Sequence, residues 1–207
     1  MKVSQDRRKM KIKVDGKYLE LEVSDDVFYT TSALLRLIEY KYLFPHRSIK
    51  YVEKNGEVLH PVKVDEVKDL ETINIVTEPS VNMVKKQIEL ALITLDAMIV
   101  SLSQIANEWI EKEDMTKLLL NNLLDSLEWT IKVVENGSKI LPIYEGLDEA
   151  IAKLEDKIFK VDELMMAERE RELVEFLTQE FSKAIREWKE FLKSMVQFVK
   201  SASGETH

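Results

Sequence analysis

The chain has 207 residues, enough to bury a hydrophobic core in one large domain or two modest ones. It contains no cysteine, which excludes a disulfide framework, thiolate metal ligation and a cysteine nucleophile. Residues 1–79 balance 14 basic against 14 acidic side chains, so the net charge of −8 falls on residues 80–207 and opposes binding to phosphate backbones or anionic membranes.

The first 13 residues are charged and polar, without the apolar stretch and small-residue end of a secretory signal, so a cytoplasmic location is expected. Arg7, Arg8, Lys9, Lys11 and Lys13 form the one basic run. Such a run is expected to be a solvated terminus leading into an edge strand, and no nucleic-acid partner is expected. Met10, Ile12 and Val14 then alternate with lysines, Asp15-Gly16 supplies a turn, and Leu19, Leu21 and Val23 alternate with polar residues, which predicts a β-hairpin. Thr30, Thr31 or Ser32 can cap a helix in which Leu34, Leu35, Leu37 and Ile38 share a face before Phe44-Pro45 stops it. Ile49, Tyr51 and Val52 predict a strand, Asn55-Gly56 a turn and Val58-Leu59 a short strand. After an irregular stretch, Ile73, Ile75 and Val76 form a last strand.

The order hairpin, helix, strand, short strand, last strand resembles the ubiquitin-like β-grasp superfamily over about residues 9–77. The segments KYLELEVSDDV, SIKYVEKNGEVL and VKVDEVKDLETINIV carry the resemblance. It implies a β-grasp fold, and the fold by itself carries over no function. Conjugating or sulfur-carrying members end in a free Gly-Gly tail, whereas this chain runs through Val76-Thr77-Glu78-Pro79 straight into a helix, with no terminal carboxylate to activate. Lys50 stands where the apolar recognition patch of ubiquitin would need an aliphatic residue, so the usual ubiquitin receptors are not expected to bind.

The composition changes at Thr77-Glu78-Pro79-Ser80, which is expected to be a linker between a β-grasp domain at 1–79 and a helical bundle at 80–207. A first long helix over about 81–111 places Val84, Ile88, Ala91, Leu95, Met98, Leu102, Ile105 and Trp109 at alternating spacings of four and three. Leu90, Ile93 and Val100 make its middle apolar almost all round, as in a buried central helix. Its most apolar run, 88–102, is interrupted by Glu89 and Asp96 and is shorter than the roughly 20 residues that cross a bilayer, so no membrane is expected as a partner. Asp114 could cap a second helix carrying Leu120, Leu124, Leu127, Ile131 and Val134, with Asn136-Gly137 at its end.

A third seam runs through Tyr144, Leu147, Ile151, Leu154, Ile158, Val161 and Met165. A fourth runs through Val174, Leu177, Phe181, Ala184, Trp188, Phe191, Met195 and Phe198, flanked by Ile185, Leu192 and Val199. Steps of three and four from Met165 do not reach Val174, so a break is expected near 166–170. Either a four-helix antiparallel bundle or three helices with one bent element satisfies the pattern. The overall class is α+β.

No motif for chemistry stands out. His46, His60 and His207 are scattered, Glu-x-x-His is absent, and the glycines form no phosphate-binding loop or nucleophile elbow. Glu168, Arg169, Glu170, Arg171 and Glu172 are expected to pair with one another on a solvated face, and Phe181, Trp188, Phe191 and Phe198 to be core rather than a cofactor box. No catalytic, cofactor-binding or metal-binding residue is assigned, and no cofactor is expected. The leading expectation is a non-enzymatic adaptor or assembly protein with protein partners. Next comes a chaperone-like binder of an amphipathic helix from a secretion or motility system, then an enzyme or sulfur carrier. If the bundle leaves Leu90, Ile93 and Val100 uncovered they form an interaction surface, and a homodimer is the expected means of covering it.

Overall fold

A computed structural model of the chain describes residues 7–24, 30–60, 64, 72–109, 113–141 and 144–202. The architecture is α+β, a mixed five-stranded sheet followed by a mostly helical part. The chain divides into two compact units, Met1–Met83 and Val84–His207.

In the first unit, β1 (Arg7–Val14) and β2 (Lys17–Ser24) pair antiparallel around Asp15-Gly16. Both turn residues have positive φ, 48° and 77°, the conformation whose twist continues that of the strands. Asn55-Gly56 repeats the device between β3 (Arg47–Lys54) and β4 (Glu57–Val58). With β5 (Ile73–Pro79) the sheet order is β2-β1-β5-β3-β4, and β1 lies parallel to β5. Helix α1 (Thr31–Ile38) is capped by Thr30, whose Oγ1 accepts a hydrogen bond from the Ala33 N–H at 3.2 Å. Leu34 and Ile38 on its inner face pack with Ile12, Leu21, Val52 and Ile75 from the sheet. A π-turn at Glu39–Leu43 follows, unsignalled in the sequence, and turns Leu43 into the same core.

Two expectations for this unit need correction, those for the basic run and for the segment 77–80. The basic run does not lead into an edge strand, because β1 pairs with both β2 and β5 and β2 is the edge. Lys50 is the extra residue of a bulge in β3, where the register against β5 slips between Ile49 and Tyr51, and its side chain is exposed. The segment 77–80 is not a loose linker. Thr77, Glu78 and Pro79 belong to β5, and Ser80, the first residue of the next helix, is buried with its Oγ hydrogen-bonded to Ser48 Oγ at 2.9 Å. The irregular stretch before β5 lies mostly outside the described residues.

A polar cluster fastens the first turn to β5. The Thr77 N–H and hydroxyl donate to the two oxygens of Asp15 at 2.9 and 2.7 Å, and Arg47 donates to the Thr77 hydroxyl and to its carbonyl. Burial works to raise the Asp15 pKa, but the Thr77 hydrogen bonds and the Arg47 charge together outweigh it and leave the carboxyl below its ordinary value.

The second unit is a four-helix antiparallel bundle built from α2 (Ser80–Glu108), α3 (Glu113–Ser138), α4 (Leu147–Met166) and a last arm made of α5 (Glu170–Phe176) and α6 (Ser182–Ala202). Neighbours are identified by contacts: Val84 of α2 meets Gly137 of α3, Tyr144 before α4 meets Ser194 of α6, and Asp96 of α2 meets Lys189 of α6. The predicted seam of α2 is buried throughout, from Val84 to Trp109. In α4 the buried series is Leu147, Ile151, Leu154, Ile158, Val161 and Leu164, with Leu164 in the place expected for Met165.

The break near 166–170 is a tight turn between two helices. Glu168 takes the left-handed conformation, φ 53°, that glycine usually supplies there, and Arg169 donates from Nε to Glu172 at 2.7 Å. The last arm departs from its predicted seam because a π-turn at Leu177–Phe181 inserts one residue into the helical register. Before it Leu173, Phe176 and Leu177 are buried; after it the series is Phe181, Ile185, Trp188, Leu192, Met195 and Val199. Leu177, Phe181, Trp188 and Met195 of the expected seam are buried, the expected flank of Ile185, Leu192 and Val199 is buried with them, and Ala184, Phe191 and Phe198 are only half-buried.

Two expectations for α3 also change. Asp114 lies in its first turn rather than before it, and Gly137 lies inside the helix rather than ending it. Gly137 is there for close approach, since a Cβ at this position would sit 2.7 Å from Val84 Cγ1. A buried hydrogen bond also crosses the bundle's diagonal, from Trp188 Nε1 of α6 to Thr130 Oγ1 of α3 at 2.9 Å. The Thr130 hydroxyl in turn donates to the Leu127 carbonyl at 2.7 Å.

Two predictions follow from these contacts. In an ordinary helix interior Gly→Ala gains about 1 kcal/mol. Gly137→Ala is expected instead to lose about 1 kcal/mol, because overpacking against the stiff Val84 costs about 1–3 kcal/mol. Urea unfolding checks this, and adding Val84→Ala should restore the ordinary sign of the glycine replacement. For Asp15, the lowered native pKa means its contribution to stability is present above the ordinary aspartate range and is lost as pH falls through the native value. Asp15→Asn keeps a residue suited to positive φ. The stability gap between it and the parent should therefore be widest near neutrality and close as the pH is taken below about 4.

Candidate interaction surfaces

Helix α2 spans 29 residues, about 43 Å at 1.5 Å per residue. Its buried seam faces the other helices, but the opposite side is open: Leu90 is 48% exposed, Ile93 67% and Val100 72%. The expectation of a helix covered all round is therefore corrected, because the bundle supplies only one layer of neighbours. The length expectation is corrected as well. The chain from 90 to 107 contains a single charged residue, Asp96, so the weakly polar stretch continues past the 88–102 run. One 18-residue window in α2 has a mean hydropathy of 1.7 and is only 33% buried, so by length and composition this helix could cross a membrane.

The open face continues onto α3. The edge of α3 that turns toward α2 is marked by Gly137 against Val84, and by helical spacing it carries Met115, Leu119, Asn122, Ser126, Trp129 and Val133, with Leu118 beside it. Met115, Leu118 and Leu119 are exposed. Of the charged residues of α3, Glu128, Lys132 and Glu135 line its other edge, toward α4, while Asp125 is exposed seven positions from Leu118. On that edge burial and the nearby Glu128 charge raise the Asp162 pKa. The outer face of the α2–α3 hairpin is thus sparsely charged, with Asp96 one turn from Ile93 and Val100 on one helix and Asp125 on the face of Leu118 on the other. Its hydroxyls are satisfied internally: Thr94 donates to the Leu90 carbonyl at 3.0 Å and Ser126 to the Asn122 carbonyl at 2.7 Å. Burying these two hydroxyls under a partner leaves neither unpaired.

A second feature is an open cleft of about 790 Å³ between α4 and the last arm. Ala150 and Ala184 keep the two helices' side chains short there, and Phe176, Trp188 and Phe191 form an aromatic floor, with the Trp188 and Phe191 rings stacked at 5.6 Å. The rims are charged, with Lys153, Lys157 and Lys160 on one side and Glu180 and Glu187 on the other. Lys157 already donates to Glu180 across the cleft at 2.6 Å. At the mouth, Tyr144 packs against Phe191 and Phe198 at 5.3 and 5.1 Å.

The predicted surface residues Leu90, Ile93 and Val100 do lie on one face. Met115, Leu118 and Leu119 were not legible, because an apolar residue just outside a seam looks the same in sequence whether it is covered or bare. Among the described residues no three His, Asp or Glu side chains gather as a metal site. His46 sits in an exposed turn, and its carbonyl accepts the Ser80 N–H at 3.0 Å; His207 lies outside the described residues.

Among the described residues, Trp109 Nε1 is the one buried side-chain nitrogen or oxygen without a hydrogen-bond partner. Trp109 and Trp188 are thus both buried, but only one has its N–H satisfied. Trp188→Phe is expected to cost about 1–1.5 kcal/mol more than Trp109→Phe, the net value of a buried hydrogen bond added to a similar loss of volume. Denaturant unfolding of the two variants under identical conditions checks the difference. Compared with family models, with curated proteins and with solved structures, the chain matches none.

Proposed function

We propose that this chain is a non-enzymatic adaptor or assembly protein that acts through protein–protein contacts on the outer face of α2 and α3. The observation that carries the reading is the outward helix face bearing Leu90, Ile93 and Val100, with Asp96 the single charge from 90 to 107, in a chain whose residues are 33% charged. Six large apolar side chains on this face are exposed, an area on the order of 600 Å², at the upper end of the largest patch a monomer carries. A lipid surface fits less well, because the charges flanking the face are mostly acidic: Glu89, Asp96, Glu108 and Asp125 against Lys86. The reading assumes a cytoplasmic setting, in keeping with the absence of cysteine.

A second reading, a chaperone-like holder of an amphipathic helix, is favoured by the α4 cleft, whose aromatic floor and charged rims match an apolar stripe with polar flanks. A photo-crosslinking side chain placed in turn at Ile93, Leu118, Ala184 and the charged outer position Lys183 separates these readings in cells. Protein adducts at Ile93 and Leu118 well above those at Lys183 are expected. Adducts at Ala184 alone would move the function to the cleft, and lipid adducts or none at Ile93 would overturn the proposal.

A further inference from the structure

The Val84–Gly137 contact fixes how α2 and α3 stand beside each other. Counted in equal steps from it along the two antiparallel helices, Asp96 lies level with Asp125, Ser103 with Leu118 and Ala106 with Met115. The exposed apolar side chains therefore make one strip, running obliquely from Leu90 on α2 across Val100 to Leu118 and Met115 on α3. At 1.5 Å per residue it is about 24 Å long, a little over four helical turns.

The charges along the borders of this strip are mostly of one sign. On α2 the border toward α6 carries Glu89 and, seven positions on, Asp96; on α3 the border toward α4 carries Asp114 and, eleven positions on, Asp125. All four are exposed. Asp96 accepts a hydrogen bond from Lys189, yet its side chain stays 62% exposed. Basic residues beside the strip are fewer: Lys86 at its end, and Lys132, which already donates to Glu128.

We infer that the occupant of this strip is an amphipathic α-helix of another protein, with Lys and Arg flanking its apolar stripe. The inference rests on reading this face as a protein-contact surface and adds the chemistry of the partner. Two exposed helices with an apolar strip across them offer the seat on which a third helix lies, anchored by residues at steps of three and four. The exposed apolar area, on the order of 600 Å² on this side, corresponds to about 1,200 Å² over both partners. That is the lower limit of a specific interface, the size of one docked segment rather than of two whole chains. Basic flanks on the docked helix meet Glu89 and Asp96 on one border and Asp114 and Asp125 on the other, whereas a second copy of this chain would bring acidic borders together.

Two synthetic helical peptides of about 16 residues, the length of the strip, test the inference. They share one leucine stripe; one is flanked by Lys and Arg, the other by Glu. Fluorescence anisotropy with the full chain should show the basic peptide binding about tenfold more tightly at low ionic strength, with the gap narrowing as salt screens the borders. Ile93→Glu with Leu118→Glu should weaken that binding at least about 100-fold, since each charge would have to be buried. Both sites are largely exposed in the chain, so the helical circular dichroism should be unchanged. Glu89→Lys with Asp125→Lys leaves the apolar strip intact and should erase the preference between the peptides. Equal binding of the two peptides by the parent chain, binding of neither, or a preference that survives this exchange overturns the inference. The crosslinks at Ile93 distinguish its failure from that of the contact surface. Adducts to a second copy of the chain, or to a partner segment without basic flanks, would refute the inference and leave the surface standing, whereas no protein adduct would refute both.

Discussion

Helix α2 has more apolar surface than its own bundle can cover, and the form of the second unit follows from how that excess is divided. Helices in a four-helix bundle bury one stripe each, and the seam from Val84 to Trp109 fills that stripe completely. Everything apolar on the other side of α2 lies outside the bundle, at Leu90, Ile93, Ala97 and Val100. The other long helices show what an outward face looks like when it meets only water. In α4 and α6 it is dense with Asp, Glu, Lys and Arg, often paired one turn apart, as in Glu149 with Lys153 and Lys183 with Glu187. Over four turns the outer face of α2 carries one such residue, Asp96, and the adjoining part of α3 carries Asp125.

Specific polar contacts fix the geometry around these apolar seams. Hydrophobic burial is non-directional, so a bundle of alternating leucines can slide or rotate its helices at small cost. The Trp188–Thr130 hydrogen bond across the diagonal and the Gly137–Val84 approach between α2 and α3 each tolerate only one register. In the sheet unit the same part is played by Asp15, Thr77 and Arg47, which tie the turn after β1 to β5. These contacts decide which residues are left on the outside, and so the shape of the surface that a partner would meet.

Much of the fold was legible in the sequence because its signals are local. Asp15-Gly16 and Asn55-Gly56 take the positive φ values that their turns require, Thr30 caps its helix, and the buried positions of α2 and α4 fall on the predicted seams with one exception. The misses share a cause. The π-turns at Glu39–Leu43 and Leu177–Phe181 add a residue to the helical register without any Gly or Pro to mark them, and after the second Ile185, Leu192 and Val199 join Phe181, Trp188 and Met195 in the core while Ala184, Phe191 and Phe198 turn outward. Glu168 likewise ends a helix in a conformation that glycine normally signals. Gly137, taken for a helix stop, is instead a point of contact, which depends on a residue 53 positions away. The surface was legible in part: Leu90, Ile93 and Val100 stood out within α2, but their continuation onto Met115, Leu118 and Leu119 depends on which edge of α3 turns toward α2, and pattern alone does not give that.

The account turns on whether the outer face of α2 is in water or under another protein. Within one chain Ile93 and Val100 are 67% and 72% exposed and Met166, at the end of α4, is 85% exposed, so a single chain in solution would offer all three to a soluble paramagnetic agent to a similar degree. Methyl relaxation measured on the purified protein, alone and saturated with the basic-flanked peptide, is the most direct test. Protection of the Ile93 and Val100 methyl groups on adding the peptide, beside a Met166 that stays fully accessible, is the predicted result, and equal relaxation at all three with the peptide present would contradict it.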